Sequence, residues 1–228
     1  MRFLILFILI FTHSLGFAAQ KQNLRCVTTH YPPFTIYDAH TNSFTGIDIG
    51  YLKHFEQTLN VTIDVVHLPW ARVQKEMKTS QYDCYFSLAY NDERAKYLSF
   101  TNIPLHTTKY GVFKVNNTPL KTDLSDAVIA VLRGVTLPDV IIKKYAINDD
   151  KLMRSLSTVA SFQLLNKGRV DYVITNYEAG LWYSKNNKNI TATELNEYQL
   201  PVYIAFKPGV INISQVNTQI KHYQASQI

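Results

Sequence analysis

Strand-like and helix-like segments alternate along almost the whole chain, and they do so in two successive blocks. In the first block, Leu24 to Thr28 reads as a strand and leads into a loop at Tyr31-Pro32-Pro33-Phe34. Asp48 is expected to cap a helix whose apolar positions Ile49, Leu52, Phe55 and Leu59 fall on one face of a 3.6-residue period. Val61 to Val66 is a β-branched strand, and Pro69-Trp70 opens the next helix, where proline suits the first turn. Tyr82 to Ser87 reads as a strand, and Asn91 to Arg94 starts a short helix. The second block repeats the alternation. Tyr110 to Val115 and Val128 to Leu132 are strands, and Arg133 to Thr136 turns into a helix that runs through Tyr145. Ser157 or Thr158 caps a further helix, which Lys167-Gly168 ends. Tyr172 to Thr175 is a strand, Asn176 leads into the helix carrying Trp182, and Val202 to Phe206 is a last strand. A final helix carries Ile213, Val216, Ile220 and Tyr223 on one stripe. Such a pattern predicts an α/β chain with mainly parallel sheets flanked by helices. A cleft between two such blocks is a natural ligand site, because strand ends and helix N-termini converge there.

The N-terminus is read separately from the fold. Met1-Arg2 is basic, Phe3 to Phe11 is almost wholly apolar, and Gly16 and Ala18 are small residues at the spacing of a signal-peptidase site. Residues 1–18 are therefore expected to be a cleaved signal peptide, with the mature protein exported; the apolar run is short for a membrane span. No cysteine stands at the cleavage site, so lipid anchoring is not indicated. The 46% apolar content supports a packed core. The net charge of +6 comes from scattered basic residues, with no basic stripe or motif for nucleic acid. Cys26 and Cys84 are the two cysteines, too few and too far apart for a zinc site, so no metal is expected. Each lies in an apolar strand-like run, which leaves open a disulfide or two buried thiols.

The local motifs carry a resemblance. They are YPPF at Tyr31 to Phe34, GIDIGYL at Gly46 to Leu52, LPWAR at Leu68 to Arg72, YDC at Tyr82 to Cys84 and NDER at Asn91 to Arg94. YLSFTNIP at Tyr97 to Pro104, VLRG at Val131 to Gly134, NKGRVD at Asn166 to Asp171 and YIAFK at Tyr203 to Lys207 follow. Each is short, but together and in this order they resemble the family 3 extracellular solute-binding proteins, the polar amino-acid receptors of ABC importers. The resemblance implies a two-lobed, Venus-flytrap architecture that closes on its ligand. Lobe 1 would hold residues 19–107 and 197–228, and lobe 2 residues 108–196. It further implies a periplasmic, monomeric receptor without cofactor, serving an ABC permease or a membrane sensor.

The resemblance also assigns ligand contacts. Arg94 matches an arginine that holds a ligand carboxylate, a role suited to the bidentate fork of a guanidinium in a closed cleft. The alternative is a surface arginine paired with Asp92 or Glu93. Tyr31 is the aromatic contact expected from the first loop, with Phe34 packed in the core. Trp70 would wall the cleft and Arg72 reach a second acidic group, unless they are a capping aromatic and a solvated arginine. Ser87 and Tyr90 flank the end of the third strand, where backbone and hydroxyl groups fix the ligand. Thr136 matches a ligand-binding hydroxyl at a helix start. Asn176 is a departure: many members have an aspartate there, paired with an α-ammonium, so its loss implies either a ligand that is not a standard α-amino acid or a replacement charge from Glu178 or Asp171. An alternative function comes from the cyclohexadienyl dehydratases, which resemble this family; Glu178 is the carboxyl placed to act as their acid.

Overall fold

The structure is a computed structural model that describes residues 20–79, 81–115 and 120–227. The expected signal peptide therefore lies outside the described residues. The first half contains β1 (Gln22–Thr28), the hairpin β2 (Ile36–Asp38) and β3 (Ser43–Thr45), α1 (Ile47–Thr58), β4 (Val61–His67), α2 (Trp70–Thr79), β5 (Cys84–Ala89), α3 (Asp92–Ala95) and β6 (Ser99–Phe100). Then come β7 (His106–Val115), β8 (Ile129–Leu132), α4 (Asp139–Lys144), β9 (Leu152–Ser155), α5 (Thr158–Asn166), β10 (Tyr172–Asn176) and α6 (Tyr177–Ser184). β11 (Ile190–Phe206) and α7 (Ile213–Ser226) complete the order.

The strands follow the path β4-β1-β5-β11-β7-β10-β8-β9. β1 pairs in parallel with β4 and β5, and β8 pairs in parallel with β10 and β9. The joining strands β7 and β11 are antiparallel to each other and to β10 and β5. β11 is one 17-residue strand whose last residues pair with β5 and whose first residues pair with β7. Both ends of the path show strands buried on two faces, which is why their residues read as near-continuous apolar runs. Cys26, Cys84, Phe86 and Phe206 point to one face, against Ile49, Leu52 and Phe55 of α1 and Val216 and Ile220 of α7. Their neighbours Val27, Tyr85 and Ala205 point to the other, against Val73 and Met77 of α2. The same alternation splits Val112, Val131 and Ile174 from Phe113, Ala130 and Val173 in the second core.

Cys26 and Cys84 are register partners on β1 and β5, fully buried, with Cα atoms 4.4 Å apart, and they form a disulfide. That resolves the choice left open between a bond and two thiols.

Two local expectations change. Asp48 does not cap α1; Gly46 occupies that place at φ 118°, a left-handed value that favours glycine, and a Cβ there would meet the Phe34 carbonyl oxygen at 2.4 Å. Asp48 turns inward instead and is fully buried, because Ser87 and His106 supply partners for its carboxylate. Thr136 does not start a helix: Pro138 occupies the N-cap position of α4, so Thr136 lies in the preceding loop.

The loop that follows β1 is held by two histidines. His30 Nδ1 accepts from the Tyr37 backbone N–H at 3.0 Å, which places its ring proton on Nε2. His67 stacks on Tyr37, with ring centroids 4.2 Å apart and planes within 5°. Burial lowers the pKa of both rings below the ordinary 6.5, and for His67 the neighbouring His30 adds to the effect. The unfolded chain therefore takes up these protons first as pH falls through about 6.5, and folded stability drops until the folded pKa values are passed. Thermal melts are expected to give a lower Tm at pH 5.5 than at pH 7.5. His67→Phe, which keeps the stack and cannot titrate, should lose less over the same interval. An equal loss in that variant would remove His67 from the explanation.

Candidate functional site

A cavity of about 630 Å³ lies between the two cores. One wall comes from the segment after β1, the start of α2, the end of β5 and α3; the other comes from the loop before α4 and the end of β10. These are the C-terminal ends of parallel strands, where α/β sheets open their crevices. Gln74 of α2 donates from Nε2 to the Gly134 carbonyl oxygen at 2.9 Å, a direct bond from the first wall to the second. Gly134 has φ 86°, and a Cβ there would meet Gln74 Oε1 at 2.2 Å, so glycine permits this close approach.

Seven of the eight singled-out residues line the cavity: Tyr31, Trp70, Ser87, Tyr90, Arg94, Thr136 and Asn176. Arg72 does not. It points outward with its side chain 67% exposed and pairs with Glu76 one turn along α2, at 3.8 Å. The guanidinium is thus a solvated one, because the face of α2 that meets the cavity is set by Trp70 and Gln74.

Arg94 is held from several sides. Its backbone N–H donates to Asn91 Oδ1 at 2.8 Å, which uses the local helix end internally and leaves the guanidinium as the anion-seeking group. Nη1 donates to the Ala89 carbonyl oxygen at 2.5 Å, and the guanidinium carbon sits 5.1 Å from the Trp70 ring centre. Burial lowers its pKa to about 10, so it remains charged at neutral pH. Among the described residues no carboxylate lies within ion-pair distance of it; Glu93 instead pairs with Lys96 and Lys78. The surface-pair alternative thus fails. Beside it, Trp70 Nε1 is buried without a hydrogen-bond partner. The Trp70 N–H thus lacks an acceptor and the Arg94 guanidinium lacks an anion, an arrangement that favours an acceptor supplied by a ligand.

Ser87 has φ 57°, a strained value for a residue other than glycine. Its hydroxyl donates to Asp48 Oδ2 at 2.5 Å, so it braces the wall from behind. His106 Nε2 lies 3.2 Å from Asp48 Oδ1, and the His106 ring stacks on the buried Phe34 at 3.9 Å. Tyr31 packs against Phe34, and burial, with Tyr110, Asp48 and Glu178 nearby, holds its hydroxyl protonated well above the usual range. Asn176 is 5% exposed and both ends of its amide are engaged. Oδ1 accepts from the Ala179 N–H at 2.9 Å, capping α6, and Nδ2 donates to Thr108 Oγ1 at 2.5 Å. The Thr108 hydroxyl in turn donates to Glu178. Asp171 accepts from the Val128 backbone N–H at 2.8 Å, a structural role outside the cavity.

Asp48 was read only as a helix cap, and His106 and Thr108 were not singled out in the sequence. Asp48 lies 58 residues before His106, and the one signal available was an aspartate next to the apolar face of a helix. Among the described residues no group of three His, Cys, Asp or Glu side chains is placed to hold a metal, and no helix is long and apolar enough to cross a membrane.

A model of the bacterial extracellular solute-binding proteins, family 3, matches residues 24–197. The chain belongs to this family. The L-cystine-binding protein TcyA of Bacillus subtilis (strain 168) is 25% identical over 199 residues, which is 84% of this chain and 72% of TcyA. The arginine-, lysine-, histidine-binding protein ArtJ from the thermophilic bacterium Geobacillus stearothermophilus superposes with a TM-score of 0.76 at 18% identity, covering 90% of each chain. A histidine kinase sensor domain with similarity to periplasmic binding proteins superposes with a TM-score of 0.76 at 16% identity, covering 91% of this chain and 92% of that one. The fold is therefore that of the two-lobed periplasmic binding proteins. As a family 3 member the chain is a solute-binding protein of the extracytoplasmic kind, and the dehydratase alternative gives way to this reading.

Proposed function

We propose that this protein is a periplasmic receptor that captures a small carboxylate solute, an amino acid or a related acid, between its lobes. It then delivers that solute to an ABC-type permease or a membrane sensor. The lobes are residues 19–107 with 197–228 and residues 108–196, and residues 1–18 direct export. The single observation that carries the reading is Arg94, a partly buried guanidinium in the cavity wall that lacks an anionic partner among the described residues. A ligand carboxylate would complete it and would also reach the free Trp70 N–H. Tyr31 and Tyr90 would wall the ligand, Thr136 would close on it from the second lobe, and Ser87 and Asn176 would shape the cavity through their bracing bonds. Relatives named for cystine, and for arginine, lysine and histidine, support the ligand class.

A thermal-shift screen of the mature protein against amino acids, polyamines and small carboxylates tests the reading. A ligand at a hundred times its Kd is expected to add about 2.7 kcal/mol of stability. Hits confined to polyamines, with none among the carboxylates, would overturn it.

A further inference from the structure

The cavity wall carries donors with capacity to spare. The Arg94 guanidinium and Trp70 Nε1 are donors. Asp48 Oδ1 is also buried without a hydrogen-bond partner, but Asp48 does not line the cavity. Asp139 apart, the other side-chain acceptors an ammonium would need are in use. Asp48 is fully buried behind Ser87, takes the Ser87 hydroxyl and faces the His106 ring. Asp92 takes the Tyr90 hydroxyl at 3.1 Å, and Glu178 takes that of Thr108. The Asn176 amide oxygen is committed to the Ala179 N–H. Asp139, the one carboxylate that lines the cavity, is exposed in the first turn of α4, where water and the free helix N–H groups screen it. The rest of the wall is largely aromatic, with Tyr31, Tyr110 and Tyr198 beside Trp70.

We propose that the cavity is selective for a carboxylate without an α-ammonium, such as a 2-hydroxy acid with an apolar or aromatic body, over the corresponding amino acid. The inference rests on the reading of Arg94 as the carboxylate anchor. A zwitterion would satisfy Arg94 but bring an ammonium into the cleft with only the solvent-exposed Asp139 carboxylate to face it, and a charge that enters a cleft without a buried partner is disfavoured. The hydrogen-bond chain from Asn176 through Thr108 to Glu178 also explains why an aspartate would be ill-suited at position 176. The Thr108 hydroxyl would then lie between two carboxylates and have only one proton to give.

Calorimetry on matched pairs tests this: 3-phenyllactate with L-phenylalanine, 2-hydroxy-4-methylpentanoate with L-leucine, and 2-hydroxyglutarate with L-glutamate. The hydroxy acid of at least one pair is expected to bind about tenfold more tightly or better than its amino acid. The double variant N176D/E178Q, which supplies an anion at the cleft and removes the competing carboxylate, should narrow or reverse that ratio. Tighter or equal binding of the amino acids by the unmodified protein overturns this inference, and the anchor reading survives it if Arg94→Ala abolishes that binding. Binding that Arg94→Ala leaves unchanged overturns both, as does a tight ligand that has no carboxylate. Absence of binding in all three pairs also counts against the inference.

Discussion

Arg94→Ala is expected to weaken carboxylate binding by about 2–5 kcal/mol, which is a rise in Kd from about thirtyfold to a few thousandfold. The loss is large because the anion would still enter a closed cleft but find no cation there. Arg94→Lys should restore only part of the affinity. An ammonium keeps the charge but cannot offer two parallel donors, and it lacks the planar face of the guanidinium that sits over the Trp70 ring. The ligand-free protein should behave differently. Burial lowers the Arg94 pKa, so holding its charge in the folded state costs stability at neutral pH. Arg94→Ala is therefore expected to melt at the same temperature as the unmodified protein or slightly above it. Calorimetry and thermal melts on the same samples check both halves; retained affinity in a folded Arg94→Ala protein would move the carboxylate site elsewhere.

Removing the disulfide is the second large effect. Cys26 and Cys84 close a loop of 58 residues, for which the chain-entropy argument gives about 4 kcal/mol. Both sulfurs lie in the apolar cluster between the sheet, α1 and α7, so a double Cys→Ala variant also leaves unfilled space. Denaturant titration of this variant is expected to shift the midpoint down by an amount equivalent to about 2–5 kcal/mol, and the unmodified protein with added reductant should show a similar shift. A variant as stable as the parent would mean that the bond contributes little beyond what β1–β5 pairing already provides.

Much of this was legible from the sequence because it is local. The apolar runs of β1, β5, β8 and β10 mark strands buried on two faces, and motif order placed Arg94, Trp70 and Tyr31 at strand ends. What escaped is non-local or is hidden by polarity. The first two-thirds of β11 contain Glu194, Asn196, Glu197 and Pro201 and do not read as a strand; they form one because β7 supplies the partner edge, with a bulge between Leu195 and Gln199. Asn176 looked like a neutral replacement at a ligand position. Its work as the cap of α6 was visible in principle, since it stands three residues before Ala179 at a strand-to-helix junction. Asp48 had the composition of a helix cap, and only the arrival of Ser87 and His106 from distant segments makes an interior position affordable for it.

The course of β11 sets an order of assembly for a chain that emerges from its N-terminus. Residues 106–195 bring together β7, β8, β9, β10 and the opening stretch of β11, so the second core can complete itself from a contiguous stretch. The first core cannot. One edge of β5, from Cys84 to Ala89, waits for Val202 to Phe206, the last strand residues to be made. In that interval β5 is an apolar strand with open backbone groups, the kind of edge that pairs with a neighbouring chain. The Cys26–Cys84 bond needs only residues already present, so it can tether β5 to β1 while its other edge is still bare.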